Sequence, residues 1–419
     1  MALALRRCPR PALGRLAARA LAAVAGEAPV LVMNAGSSSF KFAVLPDDGA
    51  AGSRFAGQVE QLNTPSCRLL LKGKDPQELP NATLKDAVNM VLRCLPGSGS
   101  ELLGIGHRVV HGGMNLWRPT RVTPEVLEEI RKVIPLAPLH NPAGITAIEA
   151  AIEALPRLRE RHVACFDTGF HHNLRPEAQM YAIPQDIARK LKIRRYGFHG
   201  ISCESAYRRG CEALSVRHDC ERTRIIILHL GAGCSATAVI GGRSVDTTMG
   251  MTPLEGLMMS TRCGSLDPGI EKYLCDALDL SIGEVETILN KKSGLLGVSG
   301  VSADMRTVLE HETSGTPEQQ EACRMATTLW VYRLSKVMAS MFVPLQHVTG
   351  LIFTGGIGEN SAVIRSRVLK HFQYRGVEVD ETVNAIHGDS HGVVTTPTST
   401  IPAVVVPADE EAQIAQHAR

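Results

Sequence analysis

Aromatic residues are scarce in this 419-residue chain, only 4% of the total with two Trp, so it lacks the stacking surface expected of a nucleic-acid binder. Charge of either sign is not in excess: 45 Lys and Arg stand against 42 Asp and Glu. Residues 1–27 carry Arg6, Arg7, Arg10, Arg15 and Arg19 against Glu27 alone, which leaves 40 basic and 41 acidic residues in the remainder. A body this neutral has no basic footprint, and no nucleic-acid partner is expected. No apolar run reaches about 20 residues, so no membrane span is expected. The eleven Cys form no CxxC pair and no Cys/His cluster at zinc spacing, which predicts reduced thiols in an intracellular compartment. Cys234 and Cys263 lie beside residues singled out below and are read as buried, inert thiols. The pattern GxxxxGK[ST] is missing, which disfavours a P-loop NTPase.

What is present is ordinary globular composition: 44% hydrophobic, 21% charged and a mean hydropathy of +0.01. The length exceeds what one core serves and predicts two domains. The N-terminal stretch is rich in Ala, Arg and Leu, with Arg15 and Arg19 one helical turn apart. Two readings stand: an organellar transit peptide, or an extension from an upstream start codon. The corresponding localisations are the mitochondrial matrix or another organelle, and the cytoplasm.

Val30–Met33 reads as a buried strand, Asn34–Ser39 as a small-residue turn and Phe40–Leu45 as a second strand, a β-hairpin. The pattern returns at Ile225–Leu230, Gly231–Ser235 and Ala236–Ile240, which suggests an ancient duplication. Helical periodicity covers 84–95, 123–134, 143–155, 269–290 and 317–341, interleaved with strands near 104–110, 161–167 and 351–354. The fold class is α/β.

Three glycine-rich turns carry the chemistry. The turn in VLVMNAGSSSFKF presents backbone N–H groups and hydroxyls to an anion, with Lys41 beside it, or is a plain hairpin turn. HLGAGCSATAV repeats the device. LIFTGGIGENS runs from a strand through Gly355, Gly356 and Gly358 into a helix, a recurring phosphate seat or a βα turn without ligand. Arg108 and Arg262 sit among apolar residues and glycines, where an arginine is either a structural ion pair or an anion ligand. His140, His171, His172 and His199 have both structural and functional readings. Asp167 and Glu410 follow apolar strands, as carboxylates that hold Mg²⁺ or as helix caps, with Asp409 an alternative cap.

In this order and spacing, NAGSSSFKF, GHRVVHGG, PLHNP, FDTGFH, RRYGFHG, HLGAG, DTTMGMTPLEGLMMSTRCG, FTGGIGENS and VVPADEE resemble the acetate kinase family from about residue 28 onward. The resemblance implies two similar actin-like ATPase (ribonuclease H-like) domains, 28–168 with the helix 411–419 packing back and 169–410, and nucleotide in the cleft between them. It implies reversible transfer of the ATP γ-phosphoryl group to a small carboxylic acid, with Mg²⁺ or Mn²⁺, in a homodimer. By the same resemblance Arg108, Asp167, His199 and Arg262 are catalytic, and His140, His199 and Arg262 support the transition state. Val110, Leu139, Phe198 and Pro253 join Arg108 around the acid. Ser37, Ser39, Lys41, His229, Gly231, Gly233, Asp304, Met305, Arg306, Gly356 and Ile357 contact nucleotide. Asn34 and Glu410 organise the metal.

The chain departs from the commoner family pattern at HLGAG, FHHNLRP, YGFHGISC and GSLDP, so Ala232 supplies no Asn amide near the phosphates. Acetate is the expected acceptor, with propionate or butyrate as the alternative within the class. An actin-like ATP-binding module without catalysis is the alternative outside it.

Overall fold

The structure, a computed structural model, describes residues 28–36, 38–46, 55–138 and 140–419. The predicted leader and the sites expected at Ser37 and Leu139 lie outside the described residues. Two compact units are present, one ending at Phe166 and joined by Glu411–Arg419, the other Asp167–Glu410. Among the described residues no helix is long and apolar enough to cross a membrane.

The first unit contains β1 (Val30–Ala35), β2 (Ser39–Leu45), β3 (Phe55–Glu60), β4 (Arg68–Leu71), β5 (Gln77–Glu78), α1 (Leu84–Cys94), β6 (Gly104–Val109), β7 (Thr120–Arg121), α2 (Pro124–Lys132), α3 (Asn141–Ala154) and β8 (His162–Phe166). Its sheet runs β5-β4-β3-β2-β1-β6-β8-β7. Strands β1, β6 and β8 are parallel, β2 is antiparallel to β1, and β3 is antiparallel to β2. Alternation sets the faces. Leu31, Met33, Phe40, Phe42 and Ile105 bury against Ala87, Val88 and Val91 of α1 and Ala147 and Ala151 of α3. α1 starts at a capping box in which Thr83 Oγ1 accepts from Asp86 N–H and Asp86 Oδ2 accepts from Thr83 N–H. On the opposite face Gly106 leaves room for the last helix: a Cβ there would stand 2.5 Å from the buried Ile414.

The second unit contains α4 (Gly200–Ala213), β9 (Arg224–Leu230), β10 (Cys234–Ile240), β11 (Arg243–Thr247), α5 (Gly269–Leu278), α6 (Ile282–Lys291), α7 (Met305–Ser314), α8 (Pro317–Ser340), β12 (Gly350–Thr354), α9 (Gly355–Asn360), α10 (Ala362–Lys370) and β13 (Ala403–Val405), and α11 (Glu410–Ala418) begins at its last residue. Its sheet runs β11-β10-β9-β12-β13. The antiparallel hairpin followed by two parallel neighbours repeats the plan of β3-β2-β1-β6-β8. The recurrence of the hairpin pattern in the sequence is thus a recurrence of sheet plan. The single helix expected over 269–290 is two: Asp279 turns left-handed at φ 53°, and Ser281 opens α6 with a capping box to Glu284.

Across β10, β9 and β12, Ser235, His229 and Thr354 share one rung of the second sheet. The rungs below are apolar apart from Thr237 and carry α4 through Cys203, Ala206 and Tyr207, packed on Ile225, Ile227, Val239 and Ile352. The polar rung thus lies above a largely apolar stack, with Ser202 in the first turn of α4 reaching His229 on it.

Candidate active site

In the first unit, Lys41, Asn34 and Arg108 lie side by side on β2, β1 and β6, because Asn34 pairs with Lys41 in antiparallel and with Arg108 in parallel register. Directly paired residues share a face. Arg108 Nη1 donates to Asn34 Oδ1 at 3.1 Å. Ser39 opens β2, and its carbonyl accepts from Gly36 N–H at 2.8 Å, closing the turn. Val110 is buried just beyond β6. The loop there is held by Asn141, a fully buried residue that sequence reasoning passed over in PLHNP: its Oδ1 accepts from His111 N–H at 3.1 Å, and its Nδ2 donates to His111 C=O at 2.9 Å. The signal was an amide one residue from a named histidine. His140 stands at the N-cap position of α3.

In the second unit the hairpin β9–β10 closes with Gly231 N–H donating to Gly233 C=O at 3.0 Å. His199 precedes α4, and its Nδ1 lies 3.0 Å from Ser235 Oγ. His229 Nδ1 lies 2.8 Å from Ser202 Oγ, and the two imidazoles face each other with centroids 4.1 Å apart. A Cβ at Gly233 would stand 3.1 Å from His199 Nε2 and 3.6 Å from Arg262 Nη1. The imidazole, the guanidinium and the glycine turn therefore converge. Arg262 Nη1 donates to Pro253 C=O at 3.2 Å and makes a 3.7 Å contact with Met259 Sδ. No carboxylate among the described residues pairs with it, and burial lowers its pKa from the usual arginine range.

Asp167 is buried, and its carbonyl accepts from Gly200 N–H at 2.8 Å, so the start of α4 docks on the residue after β8. Phe198 is buried beside His199. Gly355 takes φ 78°, and a Cβ there would meet the Leu230 backbone at 2.9 Å, so both the conformation and the close approach require glycine. This brings Gly356 N to 3.9 Å from the Cβ position of Gly231, with Ile357 next along α9. Asp304, Met305 and Arg306 form a group of their own: Asp304 caps α7 by accepting from Arg306 N–H, and the Arg306 Nη2 donates to Asp304 Oδ2 at 2.6 Å. Glu410 is the first residue of α11, and Asp409 before it pairs with Arg209 at 3.8 Å. The thiols are out of play: burial pushes Cys234 up to about 12 and raises Cys263.

Cationic side chains, imidazoles and open glycine turns are the groups that phosphoryl-transfer chemistry calls on. Two sheets on one plan, each with a hairpin turn at its functional end, place the chain among phosphotransferases of the actin-like ATPase fold. It belongs to the Acetokinase family, which matches residues 29–416. The chain is 44% identical to an acetate kinase of Deinococcus radiodurans, over 92% of its own length and 96% of that protein's. It superposes on the crystal structure of Porphyromonas gingivalis acetate kinase with a TM-score of 0.85 at 37% identity, covering 93% of this chain and 98% of that one. A propionate kinase from Francisella tularensis gives 0.86 at 36% identity, with the same coverage.

Proposed function

We propose that this chain transfers the γ-phosphoryl group of ATP reversibly to acetate, giving acetyl phosphate and ADP. The observation that carries the reading is the convergence of His199 Nε2 and Arg262 Nη1 on the Gly233 turn, with Arg262 paired to no carboxylate among the described residues. A carboxylate oxygen attacks the γ-phosphorus in line, the new O–P bond forms as the bond to the β-phosphate oxygen breaks, and ADP leaves with that electron pair. No general base is required, because a carboxylic acid with a pKa of about 4 is already ionised at neutral pH. Catalysis then consists of positioning and charge neutralisation. Arg262 and Arg108 offset the repulsion between the two anions, and His199 donates to the transferring group. Phe198, Pro253, Val110 and Leu139 receive the methyl end of the acid.

Among the described residues no three His, Cys, Asp or Glu side chains form a metal cage. The Glu410 carboxylate and the Asn34 amide are oxygen donors of the kind that suits Mg²⁺, which takes most of its ligands from phosphates and water and needs only one or two protein oxygens. Glu410 and Asn34 are the residues that would hold it or its waters, and bound there it would neutralise phosphate charge. The reading also includes a homodimer, located in the cytoplasm, or in an organelle if residues 1–27 act as a transit peptide.

Hydroxamate trapping of acyl phosphate tests the activity: product is expected only when ATP, Mg²⁺ and a carboxylate are all present. ATP hydrolysis that ignores the carboxylate would instead support a nucleotide-binding module. Propionate is the second reading, since kinases named for it are among the similar proteins. One methylene is worth about 1–3 kcal/mol in an apolar pocket, so kcat/KM for acetate, propionate and butyrate decides between them.

A further inference from the structure

The turn that carries His199 holds a non-glycine residue in the left-handed region. Gly197 has φ 73° and His199 has φ 60°, a left-handed conformation that is strained for a non-glycine residue such as His199. Neighbouring groups hold it in place. Gly200 N–H donates to Asp167 C=O, and Tyr196 and Gly197 N–H both donate to Gly250 C=O at 3.1 and 3.2 Å. The carbonyl between the two left-handed residues, that of Phe198, lies 2.9 Å from His171 Nε2.

His171 is fully buried on the short turn Gly169–His171. Its ring packs so closely on the turn that a Cβ at Gly197 would meet Cγ and Cδ2 at 2.7 Å. The chemistry fixes the tautomer. A carbonyl oxygen only accepts, so Nε2 carries the hydrogen. Nδ1 is then the acceptor for the buried Ser244 hydroxyl, 2.8 Å away on β11. Burial pushes the imidazole down to about 4, so it is neutral at physiological pH and this single arrangement persists.

We propose that His171 is a positioning residue for phosphoryl transfer: through the Phe198 carbonyl it locks the left-handed turn at His199 and thereby aims His199 Nε2 at the Gly233 turn. This rests on the reading that His199 donates to the transferring group. Sequence reasoning left His171 between structural and functional, since nothing in FDTGFHHN tells which of its two histidines faces the turn.

The experiment compares His171→Gln, which keeps a donor near the Nε2 position, with His171→Leu, which removes it, alongside His199→Gln, all in the full chain. Expected is a fall in kcat of about 10- to 100-fold for His171→Leu with KM for ATP within about twofold, and recovery of most of the loss in His171→Gln. Equal turnover in the two variants, whether normal or equally reduced, would overturn the proposal. If His171→Leu does not fold, the wild-type protein still decides: long-range ¹H–¹⁵N correlation must find the His171 hydrogen on Nε2, and finding it on Nδ1 overturns the proposal. Normal turnover in His199→Gln would sink the underlying site reading instead, whatever the His171 variants do.

Discussion

Gly233 has no side chain at the point where His199 Nε2 and Arg262 Nη1 come closest, and it needs none of glycine's left-handed freedom there. Its value is space. Gly233→Ala should therefore fold normally yet push His199 by a few tenths of an ångström, lowering kcat by about 10-fold or more while the melting temperature stays put. Steady-state kinetics beside a thermal melt checks this. Arg262 is the sharper case, because no carboxylate among the described residues pairs with it and its charge is desolvated by burial. Arg262→Ala should cut turnover by about 10³-fold with ATP binding largely retained, and near-normal turnover would remove it from the mechanism. Arg262→Lys should recover little, since a lysine cannot reproduce the planar fork of donors. These residues were legible in the sequence because arginine, histidine and glycine in apolar company are conspicuous. Asn141, Ser202 and Ser235 were not, because a buried amide or hydroxyl reads like any surface polar residue until its partner is known.

The elements follow from local chemistry where caps and alternation agree. Thr83 and Ser281 each open a helix with an acidic partner three residues on, and both capping boxes form. The expectation of one helix over 269–290 failed because continuous amphipathic spacing hid the S-x-x-E start of α6. Ser281→Ala should cost about 1 kcal/mol, read by chemical denaturation, and leave catalysis unchanged. A loss much below that would mean the α5–α6 break is imposed by packing instead. The hairpins were visible from alternation and small-residue turns. Their pairing with β6 and β12 was not, since parallel neighbours are joined by long crossovers that leave no local signature.

At the scale of the whole molecule, three buried histidines couple stability to pH. His107 Nε2 and His162 Nδ1 sit 2.9 Å apart and share one hydrogen in the core, with His171 separate from them. Burial lowers His162 and His171 from the ordinary 6.5 to about 4 and holds His107 well below its usual range. In the unfolded chain each takes up a proton near 6.5, so between there and about 4 the unfolded state binds more protons than the folded one. Stability is complete above pH 6.5 and falls as pH drops, by up to about 1.4 kcal/mol per pH unit for each histidine. Urea denaturation at pH 7, 6 and 5 should reveal that slope, and replacing His107 and His162 together by Phe and Leu should make it shallower. An unchanged slope would show that other groups set the acid limit.

Composition and motif spacing by themselves determined the α/β class and the duplicated hairpin and marked out the arginines, histidines and glycines on which the proposed site draws, because turns, caps and alternation are short-range and each leaves its mark within a few residues. Only the tertiary structure decided which groups meet. His199 faces the Gly233 turn because α4 packs on the apolar rungs below Ser235 and His229, and His171 reaches Phe198 because β11 and a left-handed turn bring together residues 27 apart in the chain. Such contacts depend on the folding back of whole elements, and no local pattern encodes the partner at the far end.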